Sequence, residues 1–559
     1  MYSKPMVSQS IFIVIILAAC LLLTSAAQAQ GNSGNRATQK SAEHSNSVFD
    51  RDEALQKRKN VHDWLVKESV GAGLAAPIVV RASVQEKNEI DQANRNESPY
   101  RVGLTKAISR SISFGDLRTS RISKNVLRRN NGAMVATDDG GYVFTASVNS
   151  PDATAMRLQF KGFRLADSAA LYLFTENGQV FGPYSGRGPN KEGEFWSHTL
   201  MGDHIIMQVR HKGPVTDEDL KNTAFQVSGV AHLRPRFLGG HCSSSDMCVE
   251  NVSCANLNQA VSVAQNAVAH MQWVSGRWVF MCSGGLIADY DAGSPLPLFL
   301  TANHCISRSK DAQSLENFFQ FIAPCGTDQC DDFLRLKSEH DQSLRTLGAT
   351  ILSGSKNTDY TLMLLYDDAP PGSSFLGWDA TEIAFTDKLP LYRIHHPGGS
   401  PQAYSEHEVD PSTQYCGGWP RGDRIYSRDL LGATEGGSSG SPLVNSDGQI
   451  VGQLTGACGT NLADVCDGEN NATVDGAFAA YFDRVSEILD PPNSCTPTEP
   501  VEVSCSDGND NDCDEDVDGA DSDCTTGGGG DLPVGASCTA NDQCISNKCK
   551  GKPRAKTCK

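Results

Sequence analysis

Residues 433–444, ATEGGSSGSPLV, set three serines among three glycines. A free serine hydroxyl is a weak nucleophile and needs an adjacent base, so the question is which serine has one. Two spacings compete. Gly436-Gly437-Ser438-Ser439-Gly440 fits G-x-S-x-G, which makes Ser438 the nucleophile and requires a histidine later in the chain. No histidine follows Ser438, the last being His407, so that spacing has no base. Gly437-Ser438-Ser439-Gly440-Ser441-Pro442 makes Ser439 the nucleophile, with a base and an acid upstream in the order His, Asp, Ser.

Both are present. In PLFLTANHCIS (297–307) an apolar strand runs into His304, beside Cys305. WVFMCSGGLIAD (278–289) reads as the neighbouring strand, and a Cys282–Cys305 bridge would tie the histidine loop to it. In NTDYTLMLLYD (357–367) Asp359 stands at the mouth of a second apolar strand. A carboxylate there would hold His304 Nδ1–H and stabilise the imidazolium formed during catalysis. Gly437 and Gly440 allow a tight turn, so that the N–H groups of Gly437 and Ser439 converge on a carbonyl oxygen. Losing one such donor costs about 3 kcal/mol of transition-state stabilisation.

The elements that must position these groups are strands. From 237 to about 490 short apolar runs recur between turn signals, as in a fold of two β-barrels, with a closing helix at 480–490. A second β-rich stretch spans about 133–233, with an Asn-Gly hairpin turn in TENGQV. Residues 30 to about 130 are polar, with helical patches such as RDEALQKRKNVHDWLVKES. The chain's 559 residues exceed one core. Lys4, the apolar run Ile11–Leu23 and Ala27-Gln28-Ala29 read as a secretory signal over 1–29, cut after Ala29. The run is short for a bilayer span; LAAC, ending at Cys20, is the alternative lipoprotein reading.

Residues 237–490 resemble the bacterial lysyl endopeptidases, a branch of the chymotrypsin-like serine proteases. The resemblance rests on FLTANHC, TDYTLMLL, LGWDA, RIHHPGG, TEGGSSGSP and VGQLTG, in that order. It implies a mainly β, double-barrel protease domain with the triad His304, Asp359 and Ser439 and with no cofactor required. It also implies a propeptide over 30–236, acting as inhibitor or foldase, and peptide substrates as partners. Cys242, Cys248, Cys282, Cys305, one of Cys325 or Cys330, and one of Cys458 or Cys466 match the family's bridging cysteines. In the family the first bridge cysteine is the sixth residue of the mature chain. A cut between Arg236 and Phe237 would put Cys242 there.

The departures concern specificity. Thr455 replaces the histidine that follows GQL in the family, and Thr473 stands at its substrate-reading aspartate. Asp475 shares the strand parity of Thr473 and is the expected counter-ion for a basic substrate residue. Thr434, Thr455, Gly456 and Thr473 are the expected pocket neighbours. Ala433 lies six residues before the nucleophile.

Net charge is −18, and Glu499–Asp531 alone holds twelve Asp and Glu with no Lys or Arg. The remainder gives no basic surface for nucleic acid. In CSDGNDNDCDEDVDGADSDC, the carboxylates of Asp507, Asp510, Asp512, Asp514, Asp516, Asp518 and Asp521 suit a hard cation such as structural Ca2+, within a Cys- and Asp-rich segment at 495–524. A Gly-rich linker (525–530) and a small Cys-rich module (531–559) complete the expected layout. Eighteen cysteines follow Cys20, an even number that suits bridges in an exported protein.

Overall fold

The computed structural model describes residues 38–45, 48–67, 76–94, 98–234, 248–290, 295–327, 333–413, 416–490, 549–552 and 555–558. The signal segment with Ala29, Cys20, the Arg236 cut, Cys242, Cys330, the 495–524 segment with its seven aspartates, and the Gly-rich linker lie outside them.

The first helix, α1 (Arg51–Lys67), is the expected polar patch; only Leu65 in it is buried. A second, α2 (Val84–Asn94), follows. Two-residue strands at Gln39–Lys40, Glu43–His44 and Ile78–Val79 come first, and the first long strand, β1 (Arg101–Ser113), starts well before the expected 133 and is thirteen residues long. Its polar composition hid it. A strand paired on both edges owes much of its stability to its neighbours. With β2 (Tyr142–Asn149), β3 (Ala155–Arg164), β4 (His204–His211) and β5 (Ala224–Leu233) it builds two facing sheets. Between them Phe114, Phe144, Phe160, Phe163, Phe195 and Phe225 form an aromatic core. β4 pairs β2, and β5 lies between β3 and β1.

The next strands build the first barrel; those that lead to the site, LFLTA and YTLMLL, are largely apolar and buried, whereas ATILSGS alternates buried and exposed residues. They are β6 (Val268–Ser275), β7 (Trp278–Leu286), β8 (Leu298–Ala302), β9 (Glu316–Phe319), β10 (Arg345–Leu347), β11 (Ala349–Ser355) and β12 (Tyr360–Leu365). They close in the order β6, β7, β8, β12, β11 with β10, β9 and back to β6. β10 and β11 are one strand bent at Gly348, whose φ is +85° and where a Cβ would lie 2.4 Å from the Tyr366 ring. A second barrel follows from β13 (Pro390–His395), β14 (Ala403–Val409), β15 (Arg424–Leu431), β16 (Pro442–Val444), β17 (Ile450–Gly459) and β18 (Asn471–Ala477). It closes as β13, β14, β15, β18, β17, β16 and back to β13 around Leu391, Val409, Ile425, Leu443 and Val451. The closing helix α3 (Phe482–Leu489) buries Phe482, Val485 and Leu489.

The N-terminal half joins the barrels through β1, which pairs antiparallel with β7. A buried charge cluster reinforces the seam. Glu316 accepts from Thr199 N–H and Oγ1 and lies beside Arg157 and Arg345, all of them buried. Burial pushes the Glu316 carboxyl up, but the two guanidinium groups outweigh it and hold it below its ordinary value.

Candidate active site

His304 and Asp359 meet because their strands do. β8 pairs β12 with Ala302 opposite Tyr360, so the turns leaving β8 and entering β12 face each other. Asp359 takes a left-handed conformation, φ +55°. Its carboxylate uses both oxygens on one residue: Oδ1 accepts from His304 N–H at 2.8 Å, and Oδ2 accepts from His304 Nδ1 at 2.8 Å. A carboxylate only accepts, so Nδ1 carries a proton, and in the neutral ring Nε2 keeps its lone pair. Asp359 is 5 % exposed. From the second barrel, Gln453 Nε2 donates to the carbonyls of Thr358 and Asp359 at 3.2 and 3.0 Å, while its Oε1 accepts from Tyr481. Gln453, within VGQLTG, is a positioning residue that sequence reasoning missed; nothing in its type or spacing announced it.

The serine loop joins β15 to β16. Ser438 is fully buried, hydrogen-bonded to His395 Nδ1 at 2.7 Å and accepting from Glu435 N–H. It braces the loop. Ser439 carries its backbone to β7, where Ser283 N–H donates to its carbonyl at 2.8 Å. Ser283 Oγ also donates to the Gly437 carbonyl. Gly437 has φ +100° and Gly440 +81°, where a side chain is strained. Among the described residues the N–H groups of Gly437 and Ser439 donate to no protein acceptor, whereas those of Ser438, Gly440 and Ser441 do. Nor does a hydrogen bond join Ser439 Oγ to His304 Nε2, which lies 3.8 Å from Cys305 Sγ.

Thr473 sits between Ser427 of β15 and Ala457 of β17, at the barrel end reached by residues 455–457. Thr434 and Thr455 are buried, and a Cβ on Gly456 would lie 3.7 Å from Trp419. Asp475 departs from expectation. It does share the inward face of Thr473, but that face looks into the barrel, and Asp475 is fully buried against Arg393 at 2.6 Å. Arg393 in turn donates to the Ser441 carbonyl at 2.9 Å. The charge of Asp475 is spent on a residue of this chain, because a buried guanidinium needs a paired carboxylate. Asp429, which the sequence did not single out, lies at the barrel end instead. Its Oδ1 accepts from Thr473 Oγ1 and from His407 Nδ1, both at 2.7 Å, and its side chain keeps 15 % exposure.

Cys282 and Cys305 are bonded, as are Cys248–Cys466, Cys254–Cys325 and Cys416–Cys458. The Cys282, His304 and Cys305 donor atoms cluster within 4.8 Å, but the two sulfurs are bonded to each other and offer no thiolate to a metal.

Residues 242–472 match the family described as lysyl endopeptidase, C-terminal domain. The chain is 28 % identical over 335 residues to a lysyl endopeptidase of Pseudomonas aeruginosa, covering 58 % of this chain and 69 % of that protein. Among solved structures it is similar to the Rv3671c protease in an inactive form, from Mycobacterium tuberculosis, at 16 % identity and a TM-score of 0.28, covering 43 % of this chain and 96 % of that one. An HtrA-type protease, AlgW with a tripeptide, gives 15 % identity and a TM-score of 0.30, covering 42 % of this chain and 63 % of that one. No helix among the described residues is long and apolar enough to cross a membrane. Two closed β-barrels that carry His, Asp and Ser motifs in that chain order, and the match to the lysyl endopeptidase domain, make the chain a lysyl endopeptidase-like serine endopeptidase.

Proposed function

We propose that the chain is exported, loses residues 1–236 after Arg236, and cleaves proteins after Arg and Lys by acyl transfer through Ser439. The observation that carries the mechanism is the His304–Asp359 couple, with both carboxylate oxygens committed to one histidine beside the serine loop. Ser439 Oγ attacks the scissile carbonyl carbon and its proton passes to His304 Nε2. Asp359 stabilises the imidazolium. The uncommitted N–H groups of Gly437 and Ser439 receive the oxyanion. His304 returns the proton to the leaving amine, and water then repeats the sequence on the acyl-enzyme. The Ser439–His304 hydrogen bond forms when substrate binds, since catalytic hydrogen bonds tighten in the Michaelis complex.

Support for basic specificity comes from Asp429. A cation entering the barrel end meets a carboxylate already oriented by Thr473 and His407. The four bridges suit an oxidising compartment. The test is a cleavage profile on a peptide mixture, with the N-terminus of the active protein determined alongside. Cuts after Arg and Lys and a mature chain starting at Phe237 are expected. Cuts after acidic or apolar residues overturn the specificity, and a Ser439→Ala chain that still cleaves overturns the mechanism.

A further inference from the structure

The stretch just before β1 lies at the catalytic loop. Asn94, at the end of α2, clasps Arg101 in both directions: its Nδ2 donates to the Arg101 carbonyl and its Oδ1 accepts from Arg101 N–H, both at 2.8 Å. The clasp fixes the end of α2 beside the start of β1, and Tyr100 immediately precedes it. The Tyr100 carbonyl accepts from Met281 N–H at 3.0 Å. The Tyr100 ring lies on the bare face of Gly436, where a Cβ would come within 1.9 Å of a ring carbon. Beyond it the chain continues along β7, with Arg101 opposite Phe280, Gly103 opposite Val279 and Leu104 opposite Trp278. The Arg101 guanidinium sits 5.0 Å over the Trp278 ring. Outside the clasp, Lys106 reaches Glu86, Arg277 reaches Glu89 and Arg234 reaches Asp91, so α2 is pinned on both sides.

The direction of this strand identifies what it mimics. Met281 precedes Cys282, which is bridged to the residue after His304, and Ser283, which holds the Ser439 carbonyl. The Tyr100 end is therefore the end nearest the nucleophile, and the chain moves away from it towards Leu104. A substrate paired to β7 in the same sense lays its residues C-terminal to the scissile bond along this edge. Adding an extended chain to a sheet edge takes affinity from main-chain hydrogen bonds and selectivity from the side-chain slots. Here the slot is the space above Gly436, one residue before Gly437.

We propose that Tyr100 to Leu104 of this chain occupies the edge of β7 from Trp278 to Met281, on the leaving-group side of the substrate site, until the N-terminal region is removed, and that this edge prefers an extended chain with an aromatic residue on Gly436. The proposal rests on the endopeptidase reading and names a selectivity that reading does not contain.

The test uses the active protein obtained by processing the full chain. Peptides with Arg before the scissile bond are varied one position at a time over the first three residues after it. An arylamide of Arg, which has no residues on that side, serves as reference. Tyr or Phe at the first or second position is expected to raise kcat/KM at least tenfold over Ala there. The peptide SPYRVGLTK (98–106) is expected to bind the processed Ser439→Ala protein at least tenfold more tightly than its Tyr100→Ala version. Flat selectivity with the arylamide still hydrolysed, or equal binding of the two peptides, overturns the proposal and leaves the endopeptidase standing. Failure to hydrolyse any of these substrates overturns the endopeptidase reading itself.

Discussion

Asn substituted separately at Asp429 and Asp475 separates reading a substrate from bracing the fold. Asp429 carries no guanidinium partner among the described residues; its Oδ1 is held by Thr473 and His407, and its side chain keeps 15 % exposure. A substrate cation about 4 Å from that carboxylate gains about 4 kcal/mol at an effective dielectric of about 20. Asn keeps the acceptor oxygen and removes the charge. The expected loss in kcat/KM for Arg and Lys substrates is therefore about 10³-fold, at about 1.4 kcal/mol per decade. A citrulline substrate, similar in shape but uncharged, should change less than about threefold. Asp475→Asn should behave in the opposite way. It strips the counter-ion from fully buried Arg393, a loss worth about 3–5 kcal/mol. For a domain of this size that is roughly 6–20 °C in Tm, with the Arg-to-citrulline ratio unmoved. The assay is kcat/KM on matched Arg and citrulline peptides beside thermal unfolding. Unchanged discrimination in Asp429→Asn, or altered discrimination in a thermally normal Asp475→Asn, would refute the reasoning.

Ser439→Ala should abolish turnover. Ser438→Ala should retain most of it while losing about 1–3 kcal/mol of stability, measured by urea unfolding, from the hydrogen bonds to His395 and Glu435. Glu316→Gln in the full chain should cost about 3–5 kcal/mol, because Arg157 and Arg345 lose their shared buried anion; a near-neutral result would show that the seam does not depend on it. The Lys106 hydrogen bond, helped by Ser83, lowers the Glu86 carboxyl to about 2. Its contribution is fully present above about pH 4.5 and is lost as pH falls through about 2. Protection of residues 84–94 and 98–106 against hydrogen exchange should therefore exceed that of Glu86→Gln at pH 6, and the two should converge near pH 2. Calcium added to the full chain should release measurable heat that disappears when Asp507, Asp510 and Asp512 are changed to Asn; no heat in either would favour a solvated acidic spacer.

Residue order by itself settled a good deal. The absence of any histidine after Ser438 selected Ser439 over its neighbour, and a long apolar strand ending in His304, with Asp359 opening another, identified the groups to be brought together. Periodicity and turn residues were enough for two β-rich regions, because alternation and Gly or Asn turns are local properties of the chain. What the sequence left open was set by contacts distant along it. Asp475 had the right parity for a pocket, but parity says which face a side chain takes and not what fills the space it enters; Arg393, 82 residues away, fills it. Asp429 gains its standing only from Thr473 and His407, which β15 meets on its two flanking strands. β1 was hidden because its polar sequence forms a strand through pairing with β5 and β7 on its two edges. The placing of Tyr100 on Gly436, 336 residues later, has no local signature at all. A glycine records only that a side chain is missing, and only the folded chain decides what takes its place.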